Sequence, residues 1–160
     1  TIWLKRKSIW NIVIGGLAGS FATLAGSAAV NPIIAPEAII LSVILFLWTP
    51  PHFWSLAMAI GDDYEKAGVP MLPNTLSSSL TTYIILFHTV ILVLVTTLLI
   101  IYSSSLLYIL AIIVGGGYFI WTSILLAIRK TKSAAMKNFF GSFVQLGLLL
   151  IIIIIDGIII

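Results

Sequence analysis

The sequence predicts an all-α fold: a polytopic transmembrane helix bundle of five spans in a single domain. Three observations carry this. Of the 160 residues, 61% are hydrophobic and 8% charged, where soluble domains have about 45–50% and about 25%. So small a domain cannot hide that much apolar surface from water, so much of it must face lipid. Five apolar runs also stand out, each near the ~20 residues that match the hydrocarbon thickness of a bilayer. Finally, the basic residues fall only in alternate connections between these runs.

The spans run at about 11–30, 38–60, 80–102, 106–128 and 139–160. Backbone groups in lipid must be satisfied within the chain, so each span is expected to be helical. No even series of alternating apolar segments suggests a barrel. The first span is rich in small residues, with Gly15 and Gly19 in one G-x-x-x-G spacing and Gly16 and Ser20 repeating it. Such spacing lets membrane helices approach closely, and it also leaves room for a lipid tail; Gly115-Gly116-Gly117 in the fourth span invites the same two readings. The third span carries His88, expected to be a satisfied helix-contact residue. The fifth ends in an isoleucine run with Asp156 near its end, expected to snorkel or be capped.

All 8 basic residues lie on one side: Lys5, Arg6 and Lys7 before the first span, Lys66 after the second, and Arg129, Lys130, Lys132 and Lys137 after the fourth. Segment 31–37 and the Ser103-Ser104-Ser105 link carry none. The positive-inside rule then puts the start of the chain in the cytoplasm and Ile160 outside. The net charge of +3 is a topology signal, with no nucleic acid implied. There are no cysteines, which removes thiolate metal sites and thiol nucleophiles. Residue 1 is Thr, and Lys5-Arg6-Lys7 leads into a full span with no A-x-A cleavage site. A fragment of a longer chain is expected, with a trimmed short protein as the alternative.

Two segments carry chemistry. Trp48-Thr49-Pro50-Pro51-His52-Phe53-Trp54 lies within the second span. Its prolines remove two backbone donors and free the carbonyls of Phe46 and Leu47. Trp48 and His52, four apart, share a face. Either His52 caps those carbonyls, or the segment is a kinked aromatic pocket wall with His52 at a substrate. The second segment, Asp62 to Pro73, has three carboxylates within four residues, in a chain with five in total. Asp62 and Glu65 resemble a capping box, and Gly68 and Pro70 a helix stop, so a short surface helix is expected over the mouth of the second span. Mg²⁺ shared with substrate phosphates suits such carboxylates. A solvated loop with an Asp62–Lys66 ion pair is the plainer reading.

Taken together, three blocks of residues resemble the UbiA-type intramembrane prenyltransferase family, in its heme-modifying branch. They are Trp3-Leu4-Lys5-Arg6 through Asn11 to Gly15-Gly16 and Ala18-Gly19, then the 48–54 heptapeptide, then Asp63-Tyr64 with Ala67-Gly68-Val69-Pro70-Met71-Leu72-Pro73. The resemblance covers residues 1–80 by motif and the rest by hydropathy. It implies a larger bundle with two acidic motifs, one in each half, of which this chain holds the second; the Asn-x-x-x-Asp-x-x-x-Asp pattern of the first is absent. It implies transfer of a farnesyl group from farnesyl diphosphate to heme b, giving heme O and diphosphate. Asp63, with Asp62, would hold Mg²⁺ and act in catalysis, and Tyr64 would face the allylic cation. Lys5, Arg6, Asn11 and Lys66 would bind substrate, with Trp48 and His52 on the heme side. The partners implied are membrane lipid, both substrates and an N-terminal half with the first motif. The chain departs from the pattern at Ala22, Thr23 and Ser27, where the family has a Pro pair and a Trp, and at Ala67, where other branches have a second Asp. The rivals are a quinone-precursor prenyltransferase, a transporter or channel subunit, and a non-catalytic assembly factor.

Overall fold

The computed structural model describes residues 4–102 and 106–159. Trp3 of the first block, the Ser103–Ser105 link and the Ile160 terminus lie outside the described residues. Everything regular among those described is helical, and five helices are long and apolar enough to cross a membrane. They are α1 (Asn11–Val30), α2 (Pro36–Ala59), α5 (Ser78–Thr97, tightening to a 3₁₀ turn at Leu98–Ile101), the pair α6 (Leu106–Ala111) and α7 (Gly117–Arg129) joined by a π turn at Ile112–Gly116, and α8 (Lys132–Ile159). Two short helices, α3 (Gly61–Lys66) and α4 (Leu72–Thr75), fill the connection after α2. The last span begins at Lys132 rather than Phe139. Its first turns bury Ala134, Ala135 and Asn138 while exposing Lys132 and Lys137, so this stretch is helical on the strength of one inward face.

The central helix is α2. It packs on α1, α5 and α8, while α7 closes the bundle against α5 and α8. Apolar contact alone does not hold membrane helices together, because lipid tails are as apolar as leucine. What does so here is close approach and hydrogen bonding. Asn138 of α8 is fully buried; its Nδ2 donates to Ser55 Oγ of α2 at 2.8 Å. Its Oδ1 accepts from Thr122 Oγ1 and Ser123 Oγ of α7, each at 2.9 Å. Ser123 Oγ also lies 3.0 Å from Thr89 Oγ1 of α5. One amide thus links four spans.

The α1–α2 contact is separate. Gly16 abuts Thr49 so closely that a Cβ there would meet the Thr49 Cβ at 3.2 Å, and Ser20 Oγ donates to Ser42 O at 2.7 Å. Of the two small-residue spacings in α1, Gly16/Ser20 is therefore the packing pair. Gly115 and Gly116 likewise seat the π turn against Gln145 and Val93.

Through Pro50-Pro51 the helix α2 continues without a break. Thr49 Oγ1 donates to Leu45 O at 2.8 Å and Ser55 Oγ to Pro51 O at 2.6 Å, so hydroxyls brace the backbone on either side of the missing donors. His88 has the contact expected of it: its Nδ1 lies 3.0 Å from Ile84 O, and its ring meets Trp54 edge to face.

One close approach gives a test. A Cβ on Gly141 would sit 2.6 Å from Thr122 Oγ1, and that hydroxyl is fixed by Asn138. Gly141→Ala is expected to cost about 1–3 kcal/mol through overpacking, read as a lower midpoint of unfolding in detergent micelles. An unchanged midpoint would refute the rigidity of this seam.

Candidate functional site

At the basic end of the bundle a cavity of about 390 Å³ opens between α1 and α2. Its floor is small and apolar: Gly15, Gly16 and Gly19 of α1 against Thr49 and Phe53 of α2. Lys5 and Tyr64 stand at its rim, with Asn11, Ile12, Val69 and Met71 lining the wall below. Three residues singled out in the sequence, Lys5, Asn11 and Tyr64, therefore line one cavity, although Tyr64 lies far along the chain from the other two. Gly15 and Gly19 face this space, the second of the two uses expected of small residues in α1.

The rim is built by a short connection with well-defined ends. Ile60 precedes α3, and no side chain caps it. The capping box expected of Asp62 and Glu65 does not form, because α3 begins at Gly61, which places Asp62 inside the first turn, where a carboxylate complements the helix dipole. The stop is as expected: Gly68 takes φ +64°, Gly68 N–H donates to Glu65 O, and Val69 N–H donates to Tyr64 O, both at 3.0 Å. This left-handed termination returns Val69 onto Tyr64, and both pack with Ala57 and Met71. Asn11, almost fully buried, donates through Nδ2 to Ser8 O at 2.7 Å and to Pro70 O at 3.0 Å. Its amide nitrogen is thus spent tying α1 to the loop, and only Oδ1 is left for a ligand. Tyr64 is half-buried, and burial pushes its phenol up from the ordinary value, so it stays protonated at neutral pH and able to donate.

The other residues take different places. Asp62 does not pair with Lys66; Lys132 Nζ of α8 donates to its Oδ2 at 2.7 Å. The intervening chain explains why: the α7–α8 turn brings Lys132 beside α3, whereas Lys66 projects to solvent one turn further on. Asp62 faces a second, polar recess with Glu65, Asn74, Lys130 and Lys132. Arg6 lines a shallow depression with Lys7, Glu65 and Pro70. Asp63 and Lys66 are exposed and lie outside all of these hollows.

His52 and Trp48 do share a face, stacked with centroids 4.0 Å apart, but that face belongs to the α2–α8 seam. His52 is buried, its Nδ1 lies 2.7 Å from Ser142 Oγ, and Phe139 packs beside its ring. Trp48 Nε1 donates to Ser142 O at 2.9 Å. The expectation that they wall the pocket is corrected by helical geometry: residues 49 and 53 of the same segment turn to α1 and line the cavity, while 48 and 52 turn to α8. The other expectation, that His52 caps the freed carbonyls, also fails, since its partner is Ser142. Phe53 and Lys132 were missed. Phe53 sits inside the heptapeptide and its phase could have been read; Lys132 is remote in sequence, and nothing local marks it.

Lys132 has a measurable signature. Its hydrogen bond, and then its charge, hold the Asp62 carboxyl below the usual carboxylate range. A carboxyl depressed in the folded state contributes its contact above the unfolded pKa and loses it as pH falls through the folded one. With intrinsic exchange rates divided out, amide protection across 61–66 is therefore expected to hold at neutrality and to fall only below the ordinary carboxylate range. A transition near pH 6 would exclude this pair as the clamp.

Comparison with known proteins bears on the whole chain. Protoheme IX farnesyltransferase 2 of Paramagnetospirillum magneticum is 51% identical over 156 residues, 98% of this chain and 54% of that relative. Protoheme IX farnesyltransferase of Roseiflexus sp. is 63% identical over 73 residues, 46% of this chain and 14% of the relative. That of Parvibaculum lavamentivorans is 56% identical over 73 residues, 46% of this chain and 23% of the relative. The chain thus spans about half the length, or less, of the curated relatives it matches. No solved structure matches. The model of the UbiA prenyltransferase family matches residues 1–145, and with this match the five-span bundle and its α1–α2 cavity belong to a multi-pass membrane protein of the UbiA prenyltransferase family.

Proposed function

We propose that this chain is part of an enzyme that transfers a farnesyl group from farnesyl diphosphate to heme b, giving heme O and diphosphate. The observation that supports it most is the α1–α2 cavity, apolar in its floor and carrying Lys5 and Tyr64 at its basic rim, in a chain half identical to a protoheme IX farnesyltransferase along nearly its whole length. A prenyl diphosphate has the same two-part character. The shared heme-enzyme name of the relatives favours heme over a quinone precursor as acceptor, and family membership favours transfer over transport. The basic end is taken as cytoplasmic by the positive-inside rule, which puts the diphosphate at the cytoplasmic rim and the opposite end of the bundle outside.

In this reading the C1–O bond of the prenyl diphosphate breaks and its electron pair leaves with the diphosphate. A heme vinyl carbon bonds to C1, and water captures the resulting cation with release of a proton. Lys5, with Arg6 at the neighbouring edge, would draw the diphosphate oxygens. Tyr64 would present its ring to the allylic cation. Phe53 and the glycine floor would hold the chain and exclude water.

Magnesium fits these residues only as a shared ion. Among the described residues no three His, Cys, Asp or Glu side chains come together. Asp62 is bonded to Lys132, whereas Asp63 is exposed. Mg²⁺ needs just one or two protein carboxylates when substrate phosphates complete its shell, so Asp63 is the residue that would hold it, alongside a carboxylate of an N-terminal half. When bound, the ion would supply neutralisation of the leaving diphosphate. His52 and Trp48 are assigned to holding α2 on α8, with any contact to heme made across that seam.

In the full-length gene product, Asp63→Asn is expected to lower heme O formation by about a hundredfold or more while membrane insertion is unchanged. Extraction and mass analysis of heme would measure it, and full activity would remove Asp63 from the site. Tyr64→Phe is expected to stay within about threefold of wild type and Tyr64→Ala to lose about tenfold, as a cation–π role requires. Equal losses in both would assign the effect to the hydroxyl instead.

A further inference from the structure

We propose that Asp62 and Lys132 are a positioning pair that sets the rotation of α3 over the cavity, so that Asp62 acts through Lys132 and not as a metal ligand. This rests on the prenyl-transfer reading and deepens it.

The helix α3 is held on one side by Tyr64, which packs with Ala57, Val69 and Met71, and on the other by the Asp62 contact. It is six residues long with no buried residue, far below the ~12–15 residues that sustain a helix alone. Its main packing is on its sequence neighbours α2 and α4, and the Asn74 side chain donates to Gly61 O at 3.3 Å. Successive residues of a helix diverge by about 100°, so Asp62 and Tyr64 project to nearly opposite sides. The cavities agree: Asp62 lines the polar recess with Lys130 and Lys132, and Tyr64 lines the α1–α2 cavity. Holding Asp62 on one side therefore fixes where Tyr64 points on the other, and where Asp63 stands between them.

Lys132 is a firm anchor for this purpose. It opens α8, whose next turn buries Ala134 and Ala135. The preceding Lys130 ends α7 in a left-handed conformation, φ 51°, and its Nζ donates to Ser79 Oγ of α5 at 2.7 Å. The α7–α8 turn is thus pinned to the bundle on both sides, and the Asp62 contact ties α3 to that frame. An exposed ion pair adds little to global stability, so its consequence is geometric.

Charge exchange separates the roles. In the full-length gene product, Asp62→Lys and Lys132→Asp are each expected to lower kcat about tenfold, the scale of a small misplacement, with KM for heme unchanged. Lys132→Arg should remain active. The double exchange Asp62→Lys with Lys132→Asp should recover to within about threefold of wild type, with the Mg²⁺ activation midpoint unchanged. A double exchange as inactive as Asp62→Lys, with a raised Mg²⁺ midpoint, would make Asp62 a ligand and overturn the proposal, as would fully active single variants.

The contact also has a readout free of activity. The 160 residues contain no cysteine. With any other cysteine of the full-length product replaced, Asp62→Cys with Lys132→Cys should be bridged by a short bifunctional thiol reagent, and Lys132→Asp should speed proteolysis within 61–70. Absence of both would refute the pair. If both are seen while even wild type transfers no farnesyl to heme, the substrate reading falls and the positioning pair stands.

Discussion

A polar side chain inside a lipid-embedded bundle must find its partner within the protein, and Asn138 is where that requirement is met for four spans at once. Its amide satisfies Ser55, Thr122 and Ser123 together, and through Ser123 it reaches Thr89. Single interhelical hydrogen bonds in membranes average only about 0.6 kcal/mol. What such a hub confers is register: α2, α5, α7 and α8 cannot slide or rotate past one another without stranding several buried groups together. The aromatic seam of Trp48, His52 and Phe139 lies one turn further along the same α2–α8 interface and inherits that register.

The helix α1 stands outside this network, and the cavity follows from that. It is held to α2 at Gly16–Thr49 and Ser20–Ser42, and to the loop after α3 by Asn11 and Pro70. Between these ties the two helices face each other across Gly15, Gly19 and Phe53, with too little side chain to fill the gap. Small residues thus serve two ends in one helix: those facing Thr49 and Ser42 close the contact, and those a residue away leave space. The heptapeptide of α2 divides in the same manner. Thr49 and Phe53 serve the cavity, while Trp48 and His52 serve the bundle.

This division marks how far the sequence could be read. Long apolar runs and one-sided basic residues speak for five spans without tertiary information, because the bilayer imposes length and charge asymmetry on any chain that crosses it. Gly68 likewise announces the end of α3, since its left-handed φ is a local demand. The phase of α2 was not legible: two neighbouring helices compete for an aromatic helix face, and only packing decides which side each takes. Lys132 was not legible either. Its partner lies 70 residues away, and local reasoning favoured Lys66, a nearer cation on the same short helix. Asn11 could be marked by motif as a substrate-binding residue, but not recognised as hydrogen-bonded to the loop at Pro70.

The acidic helix shows why its carboxylates are not interchangeable. Asp62 and Glu65, three apart, both line the polar recess beside Lys130 and Lys132, but Asp62 alone bonds Lys132 there, and Asp63 between them is exposed. A diphosphate bears several negative charges, and among the described residues the only cation lining the α1–α2 cavity is Lys5. One ammonium at an exposed rim is too weak a counterion in high dielectric to bring such a group to an apolar floor. Under the prenyl-transfer proposal, charge balance would then call for a metal ion with ligands beyond Asp63. Asp63 is exposed, so it is the carboxylate of α3 that the proposal assigns to such an ion.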